Sequence, residues 1–297
     1  MDKAKISDLI SRVKNFLSMP KLIYRFLADL ETAANVGPLR QLIGMKTAEH
    51  IRALVSSAKN RDIRRLCHFE SQVFSQNGED GIIAEIFARV GTTNKFFIEI
   101  GVGDGLENNS AFLLWQKWNG IWIDKTNYPK KVRRNVAEAI DSGQLKFHNE
   151  FVTMENIENV IGTEGVPNEP DFMSIDIDRN TIWIWRGIKR LRPRVVVVEY
   201  NATIPASINW SVDYRPFSAW NGTHYFGASL KAFEKLGEEL GYALVGCNLV
   251  GINAFFVRKD LLGQDRFVGP FTAEEHHEPP RYYLFPARGS HPRGFHD

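Results

Sequence analysis

Glycines at every second position follow an apolar, acid-bearing run in Phe96-Phe97-Ile98-Glu99-Ile100-Gly101-Val102-Gly103-Asp104-Gly105. That pattern predicts a buried strand feeding a tight turn whose backbone passes close to a ligand. A second apolar run, Gly120-Ile121-Trp122-Ile123, ends in Asp124. Open α/β sheets hold a nucleoside with this pair of features, the glycine turn against the linker and the carboxylate on the ribose hydroxyls. Further along, Asp176 and Asp178 end one apolar run, and Glu199 and Asn201 follow a run of four valines. Oxygen ligands at neighbouring strand ends can hold a magnesium-like cation that orients a substrate hydroxyl and lowers its pKa. Alternatively, Asp176 or Asp178 serves as general base while Asn201 positions the acceptor. Some of these groups could equally cap the helices that follow. Histidine is the side chain whose ordinary charge change falls nearest neutral pH, which makes His224 a second candidate base. Glu150, just after the third predicted strand, is expected on the adenine side of the pocket.

Electrostatics narrows the nucleoside. Glu99 and Asp104 flank or occupy the glycine turn and would repel a pyrophosphate at short range. The turn lacks the GxGxxG spacing of dinucleotide sites, and no GxxxxGK[ST] phosphate loop occurs. S-adenosylmethionine carries a sulfonium and an ammonium and no phosphate, so it fits this turn better than NAD.

The elements that must position these groups follow from periodicity. Helices are expected at Gly81 to Val90, Ser110 to Trp118, around Lys130 to Ile140, within 154 to 161, at Ile182 to Leu191 and at Ser229 to Leu240. Strands are expected at Phe96 to Ile100, Gly120 to Ile123, Leu145 to Phe147, Phe172 to Ile177, Arg194 to Val198, Tyr242 to Val245 and Ala254 to Val257. Alternation through the first five strands and a close final pair predict a mostly parallel seven-stranded sheet ending in an antiparallel hairpin.

Residues 1–66 hold 13 Lys/Arg and 6 Asp/Glu and predict a helical extension broken near Pro20 and Gly37-Pro38. Such a basic amphipathic segment caps its own domain, contacts another copy of the chain or lies on an anionic membrane. Residues 67–269 then form the α/β domain, and 270–297 a proline-interrupted arm containing His276, His277, His291 and His296. A formal net charge of +2 over 297 residues argues against nucleic acid as a partner. Cys67 and Cys247 are expected to be free buried thiols, and no apolar run is long enough for a membrane span. The expected location is the cytoplasm.

The ordered motifs resemble those of class I S-adenosylmethionine-dependent methyltransferases, and more narrowly the FkbM-like family, over roughly residues 70 to 262. The carriers are Phe74-Ser75-Gln76-Asn77-Gly78-Glu79-Asp80, Glu99 to Gly105, Asp171 to Asp178, Val198-Glu199-Tyr200-Asn201, Tyr225 to Leu230 and Asn253 to Arg258. The resemblance implies that Glu99, Gly101, Gly103, Asp104 and Gly105 meet the methionine part of the donor. It also implies Asp124 on the ribose and Asp176 facing the methyl. Relatives often continue with Gly-Asn-Asp after the fourth-strand acids; here the residues are Arg179-Asn180-Thr181, which alters the substrate side. Aromatic residues at Trp183, Trp185, Trp210, Tyr214, Trp220 and Tyr225 suit the apolar face of a sugar, although they could form core. Arg179, Asn201, Trp220 and Tyr225 are thus expected on a saccharide or other hydroxyl acceptor, with O-methylation as the reaction and magnesium at Asp176, Asp178, Glu199 and Asn201. The competing expectation is a noncatalytic saccharide-binding protein or scaffold of the same fold.

Overall fold

The structure, a computed structural model, describes residues 36–125, 129–162, 165–284 and 295. The chain divides into two units between Arg52 and Ala53. In the first, the described chain is helical: α1 (Val36–Val55) begins at the point where Gly37-Pro38 predicted a break. Proline in a first turn removes an N–H that has no partner there, so Pro38 starts the helix rather than ending one. The helices expected before Val36 lie outside the described residues. Among the described residues, no helix is long and apolar enough to cross a membrane.

The second unit is built on one sheet. Its strands are β1 (Phe96–Ile100), β2 (Asn119–Ile123), β3 (Leu145–His148), β4 (Phe172–Ile175), β5 (Val195–Glu199), β6 (Tyr242–Cys247) and β7 (Asn253–Arg258). They lie in the order β3-β2-β1-β4-β5-β7-β6. The first five pair in parallel, and β7 runs antiparallel to both of its neighbours. This is a Rossmann-like sheet, mostly parallel with an antiparallel final pair as the alternation of elements predicted, and it matches the class I methyltransferase fold that the resemblance implied.

Alternating side chains divide the core between the two faces. Ile98, Ile100, Ile121, Ile123, Met173, Ile175, Val196 and Val198 pack on one side. Phe97, Trp122, Phe172, Val195 and Val197 pack on the other. Val195 to Val198 are wholly buried, as four valines in a sheet covered on both faces should be.

Three local departures have physical causes. The helix expected at Ser110 to Trp118 is α3 (Ala111–Trp115), preceded in the chain by α2 (Glu79–Val90). It stops because Lys117 adopts a left-handed φ of 66° and turns the chain into β2. The basic helix splits into α4 (Pro129–Asn135) and α5 (Ala137–Asp141) around Val136, whose φ of −125° is not helical. Strand β4 ends at Ile175, two residues early, because Asp178 is left-handed with φ 58°.

Register fixes the working edge. Ile100 pairs with Ile123 and with Ile175, and Ile175 pairs with Val198. One residue further on, Gly101, Asp124, Asp176 and Glu199 therefore stand side by side. Backbone hydrogen bonds from Gly101 N to Ile123 O and from Asp176 N to Ile100 O hold this edge together. It is the carboxyl edge at the point where strand order reverses, the place where open α/β sheets bind ligands.

Candidate active site

A cavity of about 590 Å³ opens on this edge. Its wall includes Gly101, Val102, Gly103, Asp104, Asp124, Lys125, Glu150, Phe151, Asp176, Asp178, Asn180 and Trp220. The floor is the glycine turn. Gly101 has φ +86°, and a Cβ there would fall 1.6 Å from the Asp176 carbonyl oxygen, so only glycine fits. Gly105, behind the turn, has φ +80° and lies against the Trp122 ring. A Cβ at Gly103 would meet nothing within 4 Å, which leaves its backbone open to a ligand.

Asp124 lies in the wall, and its Oδ2 accepts hydrogen bonds from Val102 N and Gly103 N at 2.7 Å each. Burial raises its pKa against the lowering effect of those two donors. Asp104 is held by Lys131 Nζ at 2.9 Å and accepts from Leu106 N. Glu150 also lines the cavity and is exposed.

Glu99 does not reach the wall. It is 1% exposed and accepts from Asn108 Nδ2, Asn109 N, Ser110 N and Ser110 Oγ at 2.5 to 2.8 Å. Burial raises its pKa while these four donors pull it down. The expectation that it contacts the donor is corrected: Glu99 anchors the loop that enters α3. Sequence spacing placed the acid at the right strand end but could not reveal that its neighbours would consume both oxygens.

The acidic tips do converge. Carboxylate oxygens of Asp176, Asp178 and Glu199 lie within 4.8 Å of one another. A turn rather than continued strand achieves this, since the left-handed Asp178 lies three residues past Ile175, the end of β4. Asp176 keeps partial contact with the cavity, yet burial and the Asp178 carboxylate push its pKa up to about 7. Glu199 is raised well above the carboxylate range by burial and by Asp176, and its Oε2 lacks a hydrogen-bond partner. Asp178 is raised by burial and then by Asp124, which ties the cluster to the acid just past β2.

Other expected residues lie elsewhere. Asn201 is fully buried, donates Nδ2 to His224 O and Phe226 O, and accepts from Thr203. Its polar atoms are spent on a loop, so its expected roles toward acceptor and metal are corrected. His224 is exposed and outside the cavity wall, which removes the geometric basis for using it as a base. Arg179 is 7% exposed, with its guanidinium 5.3 Å above the Tyr225 ring and Nη2 3.5 Å from Asp213 O. Neither Arg179 nor Tyr225 lines the cavity; they pack the base of the adjoining loop instead. Of the six aromatic residues, only Trp220 is in the wall, and Trp185 is core.

Several wall residues escaped the sequence reading. Ser218 and Ala219 belong, with the expected Trp220, to a flap tied down by Asn180 Nδ2 to Arg215 O at 2.8 Å and by Tyr214. The Tyr214 hydroxyl accepts from Met154 N and donates to Glu155. Phe151 joins the wall, and its ring sits 5.8 Å from that of Phe217. Gln76 enters from the Phe74–Asp80 segment, whose shape is set by Asp80 Oδ2 accepting from Val73, Phe74 and Ser75 N. That segment was visible as a dense motif, but nothing in its spacing pointed toward this cavity.

No family model and no curated protein match the chain. Solved structures similar to it include the pyocyanin biosynthetic protein PhzM, at 14% identity and TM-score 0.35, with 59% of this chain covering 54% of that one. An O-methyltransferase family protein from Burkholderia thailandensis is 11% identical, with TM-score 0.37 and coverage of 61% and 58%. The methyltransferase domain of bacterial CtHen1-C is 15% identical, with TM-score 0.39 and coverage of 61% and 97%. The chain spans little more than half the length of the first two. These likenesses concern class I methyltransferase folds and overturn the narrower FkbM-like expectation. Of the motifs behind it, the glycine turn and the acids at strand ends are demands of the fold class as a whole. They position a ligand at the sheet edge without selecting one family.

Proposed function

We propose that the chain is an S-adenosylmethionine-dependent O-methyltransferase acting on a hydroxyl of a saccharide, glycoconjugate or other small molecule. The observation that carries this is the register of Gly101, Asp124 and Asp176 along one cavity wall: open backbone, a ribose-side acid and a high-pKa carboxylate in sequence.

The residues present fit the donor. Gly103 leaves its backbone open, Gly101 lets the turn pass tightly against Asp176, and Asp124 uses Oδ2 on the turn, with Oδ1 left for ribose hydroxyls. Glu150 and Phe151 suit the adenine side, and Asp104 suits the amino end. When bound, the donor supplies a methyl group on a sulfonium that a hydroxyl oxygen displaces in line, the carbon–sulfur electron pair leaving on sulfur. Asp176 takes the hydroxyl proton, and its pKa of about 7 suits a base working near neutrality. The flap carrying Trp220 holds the acceptor in line, where placement contributes much of the rate.

In place of the use of Asp176 as base, Asp176, Asp178 and Glu199 together suit a hard, oxygen-preferring cation such as magnesium, and the unpartnered Glu199 Oε2 supports that use. Such an ion would lower the pKa of the acceptor hydroxyl. Incubation with methyl-labelled donor and a panel of saccharide and natural-product hydroxyl compounds tests the function. The expected result is a labelled methyl ether whose formation requires Asp176; label appearing only on nitrogen, or none transferred while the donor binds, would overturn it.

A further inference from the structure

The mouth of the cavity carries aromatic rings that the fold leaves in solvent. Trp220, in the wall, is 47% exposed. Phe217, which precedes the wall residue Ser218, is 82% exposed. Phe151, from the chain beyond β3, backs it with a ring 5.8 Å away. Single exposed apolar side chains are ordinary on a protein surface, whereas several gathered at a cavity mouth mark a place where apolar matter docks.

Local chemistry puts Phe217 there. Pro216 presets φ at the second position of a turn, and Ser218 N donates to Arg215 O at 3.1 Å to close Arg215-Pro216-Phe217-Ser218. The same Arg215 carbonyl accepts from Asn180 Nδ2 at 2.8 Å, which ties the turn to the buried side of the site. A ring carried on a tethered turn loses little freedom when a ligand covers it. Space points the same way. A volume of about 590 Å³ encloses one drug-sized ligand, and S-adenosylmethionine is itself of that size. With the donor seated, the cavity admits the reacting hydroxyl and the atoms nearest it. The rest of a larger acceptor extends past Ala219 and Trp220 toward the exposed rings.

We propose that the acceptor is amphiphilic: its hydroxyl enters the cavity, and an apolar body, alkyl or aryl, lies outside on Phe217 and Trp220. For a saccharide acceptor this means a glycoside with an apolar aglycone rather than a free sugar. The proposal rests on the methyl-donor reading of this cavity. Phe217 sets specificity and takes no part in the chemistry; it supplies apolar surface that leaves water when the aglycone covers it.

The test is equilibrium binding of matched probes to the full chain saturated with S-adenosylhomocysteine. One set is the methyl, hexyl and naphthyl β-glucosides; the other is the methyl, hexyl and naphthyl ethers of glycerol. Expected is binding of the hexyl and naphthyl probes at least about tenfold tighter than their methyl match in one set or both, because even partial burial of the added carbons supplies that much. Phe217→Ala should cut the ratio to about threefold or less and Phe217→Leu should keep it, with the unfolding midpoint and S-adenosylhomocysteine affinity unchanged in both. Equal binding of methyl and larger probes, a preference that persists in Phe217→Ala, or no binding of any probe overturns the proposal. Self-association of the free chain that Phe217→Ala abolishes also overturns it, because the rings then serve a second copy. Saturation with S-adenosylhomocysteine is measured first and separately, so failure of the donor reading is recognised before any acceptor is added.

Discussion

The two ends of the sheet's carboxyl edge differ in how their polar atoms are spent. Around the glycine turn, the side proposed for the donor, Glu99 takes four hydrogen bonds beneath the wall, Asp124 ties down two backbone N–H groups, and Asp104 holds Lys131. On the acceptor side, Asn180 Oδ1 and Glu199 Oε2 are buried without partners, three carboxylates crowd together, and Asp178 sits at positive φ. A saturated network makes a rigid receptacle for one ligand. An unsaturated, strained one stores its cost until a second ligand arrives. The comparison predicts that lesions on the donor side cost folding and donor affinity together, whereas lesions on the acceptor side cost turnover.

The largest effect should come from Gly101→Ala. Its Cβ would strike the Asp176 carbonyl at a left-handed φ, for a combined cost of roughly 2–4 kcal/mol by strain and overpacking. Thermal unfolding should show the loss, and calorimetry should show no donor binding; a variant of wild-type stability that still binds donor would break the comparison. Next, Asp176→Asn should lower turnover roughly 100-fold or more, the scale of a lost general base, with donor affinity within about threefold. Equal loss of both would move Asp176 to the donor side.

Glu99→Ala should destabilise by about 3 kcal/mol because it orphans buried donors at Asn108 and Ser110. Weakened donor binding with no change in unfolding midpoint would restore Glu99 as a direct contact.

Smallest is an effect remote from the cavity. His276, 4% exposed in helix α9 (Ala273–His276) after α6 (Ile157–Ile161), α7 (Thr181–Gly187) and α8 (Leu230–Leu240), has its pKa depressed to about 3 by burial. Below 6.5 the unfolded chain binds a proton that the folded chain refuses, so stability falls as pH drops from 6.5 toward 3. Between pH 7 and 5 the loss should be about 2 kcal/mol and should vanish in His276→Phe. An unchanged pH dependence in that variant would show that other groups set it.

Much of this was legible in the residues, and the boundary is instructive. Periodicity gave the strand sequence, because a residue's face in a sheet depends only on its parity. Glycine spacing gave the turn, because positive φ and close approach leave few alternatives at Gly101. Partners were not legible. Glu99 and Asn201 were read as ligand-facing because of where they fall along their strands, but their oxygens and amides are consumed by Ser110 and Thr203, and by the Phe226 carbonyl. Most of the flap was hidden for a related reason: Ser218 and Ala219, beside the expected Trp220, reach the cavity through anchors as distant as Asn180 and Glu155, and no local pattern records a long-range anchor.

Calorimetric titration of the full chain with S-adenosylmethionine and, in parallel, with NAD tests the central claim most directly. The site geometry predicts saturable one-to-one binding of S-adenosylmethionine that is lost in Gly101→Ala, with no heat from NAD. No binding of S-adenosylmethionine at millimolar concentration, or tighter binding of NAD, would contradict it.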